Sequence, residues 1–329
     1  MRKLMIPGFI LVLFAGGCKK QEYFFMEGGA QGTSFHITYQ AKKSYTHEID
    51  SVLKAFDQSL SAWEPNSILS RINRNDSTVV VDEMVTRVYN KALEVNKASD
   101  GMFDITVGPL VKAWGFYNKT HAVHDSARIQ QLLKFVGMEK IHLENGKIRK
   151  DNDSIVLDVN AIAQGYSVDV VSDFLEKQDV KNYCVEIGGE LKTSGKNSEG
   201  NKWRVGIDKP VDGSMVPGNQ LQTIIELSNK AMATSGDYRK FIIENGVKYA
   251  HHLNPKTGYP AKNTLLSATV VTDDCITADA YGTACMVLGL EKCVGLLKEK
   301  GLDGYLIYSD DNGNLQTYIT ENLKRMIKN

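Results

Sequence analysis

Residues 155–169 read IVLDVNAIAQGYSVD, a stretch that changes character halfway along. Ile155-Val156-Leu157 has the length and β-branched content of a buried strand. From about Ile162 to Lys177 the spacing predicts a helix, with Tyr166, Val170 and Phe174 at i, i+4 and i+8. Asp158 stands where the apolar run ends, and a buried carboxylate is costly unless something pairs with it. Ala161 and Gly165 are small enough to let a ligand approach the backbone, and a helix N-terminus favours anions. Asp158 as a simple helix cap is the competing reading. It prevails for the stretch taken alone, so the rest of the chain has to decide.

Upstream, Phe24–Tyr39 reads as a hairpin turned at Gly28–Gly32, and Ser44–Leu60 as a helix with Ile49, Leu53, Phe56 and Leu60 on one face. Residues 61–73 read as a loop with a short helical turn, and Asp82–Ala98 as a helix capped by Asp82. Gly101–Phe116 is too irregular for one helix. A helix over Ser126–Val136 and short strands near Ile141, Ile148 and Ile155 follow. Downstream, Asn182–Ile187 is a strand ending in Gly188-Gly189-Glu190, with further strands near 203–207, 221–227, 231–235 and 268–272. Helices over Thr277–Leu288 and Leu290–Lys300 precede two closing strands around 305–307 and 317–319. Helices interleaved with short, turn-linked strands and no fixed repeat predict an α+β fold of mixed, largely antiparallel sheets with packed helices. No Pro/Ser-rich linker divides residues 26–329, so one domain is expected there.

The 329 residues carry no formal net charge, which leaves no electrostatic footprint for nucleic acid. Residues 1–17 read as a signal peptide: Arg2 and Lys3, then an apolar core from Ile6 to Phe14 too short to span a bilayer. Ala15-Gly16-Gly17 lead into Cys18, which resembles a bacterial lipoprotein signal, although Ala15 stands where Leu is usual. Cys18 is therefore the expected lipidation site, residues 18–25 a tether, and the cell envelope the expected address. Losing Arg2 and Lys3 takes the charge to about −2. No CxxC or zinc-like spacing appears, and Cys285 and Cys293, inside apolar helical patterns, are expected to be buried thiols.

Two further stretches could carry chemistry. In TDDCITADAYGTACMVLG (272–289), Thr277 as N-cap would put Asp279 in the first turn and Thr283 four residues on, on the same face. A carboxylate and a hydroxyl are hard oxygen donors, suited to Mg²⁺ or Ca²⁺ rather than zinc. A first-turn Asp serving the helix dipole, with Thr283 satisfied by an upstream carbonyl, is the stronger explanation of an isolated D-x-x-x-T. In ATSGDYRKF (233–241) and YAHHLNPKTGYP (249–260), two turns flank His251 and His252. Strand neighbours face opposite sides, so at most one of these histidines is expected in a given cleft.

LDVNAIAQGYSVD, VEIGGELKTSG with WRVGIDKP, TSGDY, HHLNPKTG and ADAYGTACMVLG occur in this order, with GTSFHITY (32–39), the Ser61–Ser67 loop and GMFDITVGPL (101–110) upstream. Together they resemble the ApbE-type FAD:protein FMN transferases from about residue 29 to 320. The resemblance implies a T-fold-like unit and an exported, lipid-anchored enzyme that binds FAD and needs Mg²⁺. Such an enzyme moves FMN onto a Thr or Ser hydroxyl of an acceptor protein and releases AMP. It implies Asp279, Thr283 and the main-chain carbonyl of Ala161 as metal ligands. Gln31, Trp63, Met102, Phe103, Asp104, Asp158 and His252 are implied as FAD contacts, with Gly188 and Gly189 near its phosphates or adenosine. His251 is implied as the base or the residue positioning the acceptor, with Asp237 as the second candidate. Two departures stand out: Gln164 where many members have Lys, and Gln31 where Met is frequent. Three other readings stay open: an FAD pyrophosphatase, a non-catalytic flavin-binding lipoprotein, and an anchored solute receptor.

Overall fold

The computed structural model describes residues 21–116, 125–211, 220–238, 241–244 and 247–328. The signal peptide and Cys18 lie outside the described residues. A hairpin comes first, β1 (Glu22–Ala30) and β2 (Thr33–Ala41). Gln31 and Gly32 turn it with φ of 54° and 76°. Two successive left-handed residues match the twist of a two-residue hairpin. Gly28 and Gly29, expected in the turn, belong to β1, as do residues Glu22–Phe25, expected in the tether.

Next come α1 (Thr46–Leu60), α2 (Ile68–Asn73), α3 (Glu83–Ala98), α4 (Gly108–Ala113) and α5 (Ser126–Leu133), then the hairpin β3 (Ile141–Glu144) and β4 (Lys147–Lys150). Asp82 caps α3, its carboxylate accepting from the Val85 amide at 2.9 Å. The stripe Ile49, Leu53, Phe56 and Leu60 on α1 is buried as its spacing predicts. The strand expected at Ile155–Leu157 does not form. Asn73 on α2 takes the place of a neighbouring strand, its Oδ1 accepting from the Leu157 amide (2.8 Å) and its Nδ2 donating to the Leu157 carbonyl (2.9 Å). One parallel bridge, Val107 with Val156, marks the site.

Helix α6 (Ala163–Lys177) leads to β5 (Tyr183–Ile187), β6 (Glu190–Ser194), β7 (Trp203–Asp208), β8 (Leu221–Leu227) and β9 (Lys230–Gly236). The small hairpin β10 (Phe241–Glu244) and β11 (Val247–Ala250) precedes β12 (Leu265–Thr272), α7 (Cys275–Leu288), α8 (Leu290–Lys300), β13 (Asp303–Ser309) and β14 (Leu315–Ile319). Helix α9 (Glu321–Lys324) and β15 (Ile327–Lys328) close the chain. The main sheet runs β1-β2-β5-β6-β9-β12-β13-β14, antiparallel at every step. Strand alternation splits its side chains. Ala233, Ala268, Val270 and Leu306 face α7 and the helical layer, while Met232, Val271, Tyr305 and Ile307 face the sheet β15-β8-β7. The fold is α+β with antiparallel sheets, as expected.

Two corrections concern α7. Asp274, not Thr277, is its N-cap, accepting from the Thr277 amide at 3.0 Å, so Asp279 lies in the second turn. Cys285 and Cys293, expected as thiols, are bonded to each other. Gly289, at φ 78°, lets the chain break between α7 and α8, which brings the two Cα atoms to 4.7 Å.

Candidate active site

The site is built on the contact between α6 and α7. Gly165 lies against Asp279, and Asp169 against Cys275, so the helices pass antiparallel, each N-terminus beside the other's second turn. Gly165 makes the approach possible: a Cβ there would overlap the Cys275 carbonyl and stand 2.6 Å from Asp279 Cβ. Each helix then caps the other. Asp279 Oδ2 accepts from the Gly165 amide at 2.9 Å. Asp169 accepts from the amides of Cys275 (2.9 Å) and Ile276 (2.8 Å). Desolvation raises the Asp169 carboxyl to about 7, against the pull of those two amides and of Lys192, whose Nζ is 3.9 Å away. The carbonyl-bearing Ala161 lies four residues before Gly165, in the turn that opens α6. The start of α6 and the helix carrying Asp279 therefore meet at Gly165.

One turn further along α7, Thr283 Oγ1 is 3.3 Å from Ser235 Oγ, and Gly282 faces the same serine. Ser235 is near the end of β9, and the chain continues through Gly236 into Asp237. There Asp237 Oδ1 lies 2.6 Å from His252 Nδ1. His251 and His252 do not face opposite sides. Strand β11 ends at Ala250, the alternation ends with it, and the two rings lie 4.0 Å apart. His252 is buried and His251 half-buried. The turn after them is pinned from behind: Trp114 Nε1 donates to the Gly258 carbonyl at 2.8 Å, and the Trp114 ring packs on Tyr249 and Tyr259. Gly258 has φ 78°, and a Cβ there would stand 2.5 Å from Ile129 Cγ2.

A second corner adjoins the start of α6. Gln164 Nε2 donates to the Ile187 carbonyl at 3.2 Å and occupies the space a side chain at Gly188 would need; Thr33 closes the same corner. Gly188 and Gly189 have φ of 68° and 109°. Glu186 braces that turn, one oxygen accepting from the Gly189 amide (2.6 Å) and the other lying 2.7 Å from His36 Nδ1. In the neighbouring hairpin turn, Gln31 Nε2 is buried with no hydrogen-bond partner among the described residues. Ile162, the N-cap of α6, supplies no side-chain cap. First-turn amides of the helix are taken instead by the chain and by α7: Ala163 donates to the Val159 carbonyl at 2.8 Å, and Gly165 to Asp279.

The remaining predicted residues divide by role in the fold. Asp158 is buried and accepts from the amide and side chain of Asn160 at 2.9 and 2.8 Å, while its own amide donates to the Ile105 carbonyl at 2.7 Å. It shapes the turn before α6 without being that helix's N-cap. Asp104 accepts from the Thr106 amide (2.7 Å) and from the Met138 amide (3.0 Å), and burial pushes its carboxyl upward. Phe103 points into the core. These two brace the 101–107 loop, leaving half-exposed Met102 at its rim. Trp63 stands 67% exposed on the 61–67 loop. Sequence reasoning missed Gly165 as a contact point, Ser235, Glu186 and Asp169. Gly165 and Asp169 lay inside the 155–169 stretch, Glu186 beside Gly188-Gly189, and Ser235 beside Gly236-Asp237.

The ApbE family profile matches residues 31–306. The FAD:protein FMN transferase of Haemophilus influenzae is 34% identical, over 94% of this chain and 95% of its own length. That of Vibrio cholerae is also 34% identical, over 95% and 96%. Among solved structures, flavin transferase ApbE from Vibrio cholerae superposes with a TM-score of 0.82 at 32% identity, covering 93% of this chain and 99% of that one. The ApbE protein of Thermotoga maritima gives 0.81 at 27% identity, over 94% and 100%. The chain belongs to the ApbE family.

Proposed function

We propose that the protein is a flavin transferase that moves the FMN half of FAD onto a Thr or Ser hydroxyl of an acceptor protein. The observation that carries the reading is the meeting of Asp279 with the start of α6, together with the glycine corner at 188–189 and a buried Gln31 amide that has no partner among the described residues. Asp279, Thr283 and the Ala161 carbonyl offer only oxygen donors, which fits Mg²⁺ (or Ca²⁺) and not zinc. A cation held there supplies charge neutralisation at the FAD diphosphate. The α6 start and the 188–189 turn flank the diphosphate, and Gln164 offers a side-chain amide where relatives carry a cation.

The hydroxyl oxygen of the acceptor attacks the FMN-side phosphorus. A new phosphoester P–O bond forms, and the bond from that phosphorus to the bridging oxygen breaks. AMP leaves with the bridging oxygen. His251 takes the hydroxyl proton, help worth roughly 10²–10⁴-fold, and the Asp237–His252 pair orients the loop that presents it. The disulfide supports an oxidising compartment. With Cys18 as lipid anchor, we place the enzyme on the outer side of a bacterial membrane.

Incubation with FAD, Mg²⁺ and a candidate acceptor, read as mass gain on the acceptor, tests the reaction. Asp279→Ala should abolish it, and His251→Ala should slow it while FAD still binds. FMN and AMP released without any acceptor adduct would replace transfer with pyrophosphate hydrolysis.

A further inference from the structure

We propose that Asp237, His251 and His252 form a second metal site, selective for a zinc-class divalent ion and separate from the oxygen site on α7. Among the described residues these three are the His/Cys/Asp/Glu group whose ligand atoms gather most closely, all within 4.8 Å of one another. Two imidazoles and one carboxylate are a donor set typical of catalytic zinc, with a fourth position for water. Nitrogen donors repel the preference of Mg²⁺ for oxygen and invite the later transition ions. The two sites thus sort ions by chemistry, although Gly236 alone separates Ser235, the partner of Thr283, from Asp237.

The geometry needs little change. Zinc at about 2.0–2.1 Å from each ligand places tetrahedral donors roughly 3.4 Å apart. The Asp237–His252 pair, now at 2.6 Å, must open slightly as the ion replaces the shared proton. The ligand atoms, now within 4.8 Å of one another, close in as half-buried His251 turns toward the pair. The backbones of the other two ligands are already fixed: the Asp237 amide donates to the Leu266 carbonyl at 3.1 Å, and the His252 carbonyl accepts from the Ala261 amide at 2.8 Å. Bound there, zinc takes the lone pair of His251 that the transfer reaction uses. It therefore inhibits without displacing Mg²⁺. The inhibition rests on the function proposed above; the binding does not.

The test titrates the full chain with Co²⁺ in excess Mg²⁺, then displaces it with Zn²⁺. We expect one equivalent of cobalt with the intense visible bands of a four- or five-coordinate site, bleached by one equivalent of zinc. His252→Ala and Asp237→Ala should each weaken zinc by at least about 100-fold, more than loss of a mere outer-shell partner costs. His251→Ala, at the less buried of the two histidines, should do the same even if either of the others unfolds. Asp279→Ala should leave zinc affinity unchanged. Weak octahedral cobalt bands, or zinc affinity untouched by His251→Ala, would overturn the site. Zinc binding as expected with no loss of flavin transfer at saturating Mg²⁺ would instead overturn the role of His251 as base.

Discussion

Gly165→Ala sets local and tertiary physics against each other. Gly165 is the third residue of a 15-residue helix, and helix propensity alone makes alanine better there by about 1 kcal/mol. The fold says the opposite. The added methyl would overlap the Cys275 carbonyl and stand 2.6 Å from Asp279 Cβ, and backbone cannot swing aside as a side chain can. Forcing a methyl into such a contact costs roughly 1–3 kcal/mol. Parting the helices also stretches the 2.9 Å bond from the Gly165 amide to the Asp279 carboxylate, a charged hydrogen bond worth roughly 1.5–3 kcal/mol. Less the helical gain, the net loss is about 1.5–5 kcal/mol, or roughly 2–7 °C in Tm for a chain of this size. Mg²⁺ affinity should fall as well, because Asp279 moves. Gly295 in α8 provides the control: nothing lies within 4 Å of its missing Cβ, so Gly295→Ala should stabilise by up to about 1 kcal/mol. If Gly165→Ala melts at or above the parent in thermal unfolding, with its Mg²⁺ titration intact, the close approach of α6 and α7 is wrong.

Three further outcomes follow from the same structure. Replacing Cys285 and Cys293 together by Ser should cost about 2–3 kcal/mol, the chain-entropy value for a closure of 8 residues; a melt unaffected by both the substitution and a reductant would contradict it. Asp169 has a folded value of about 7 against 3.8 for the free group. Between those limits the unfolded chain holds fewer protons, so this carboxyl makes stability fall as pH rises from about 4 to 7. Denaturant melts of the parent and of Asp169→Asn should converge or cross toward pH 7, and a constant difference would remove the effect. Gly258→Ala combines a forbidden φ of 78° with a Cβ 2.5 Å from Ile129 Cγ2, so it should release the turn behind His251 and His252. Flavin transfer should drop by at least about 10-fold while Mg²⁺ affinity holds; a parallel loss of both would mean that the turn supports the whole site.

What was legible in the chain was what repeats locally. The α1 stripe and the Asp82 cap are patterns within one or two turns, and both elements formed where the pattern put them. The readings that went astray met a partner from far away. Ile155–Leu157 has strand composition, yet Asn73, 84 residues upstream, supplied its hydrogen bonds. Alternation predicted opposed histidines, but it lapsed at Ala250, where the strand stopped. The cysteines looked like core thiols because their bond depends on how Gly289 redirects the helix. The α6–α7 contact is the sharpest instance. Asp279 and Gly165 stand 114 residues apart, and no period links them. Taken locally, Gly165 is a weak spot in a helix, and Asp279 an acid past the turn where the dipole would reward it. Each local cost disappears in the other's presence. Glycine opens the gap that admits the carboxylate, and the carboxylate satisfies the amide that the gap exposes. A pair of local misfits that resolve each other across the fold is how a site can be fixed in place without any periodic signal.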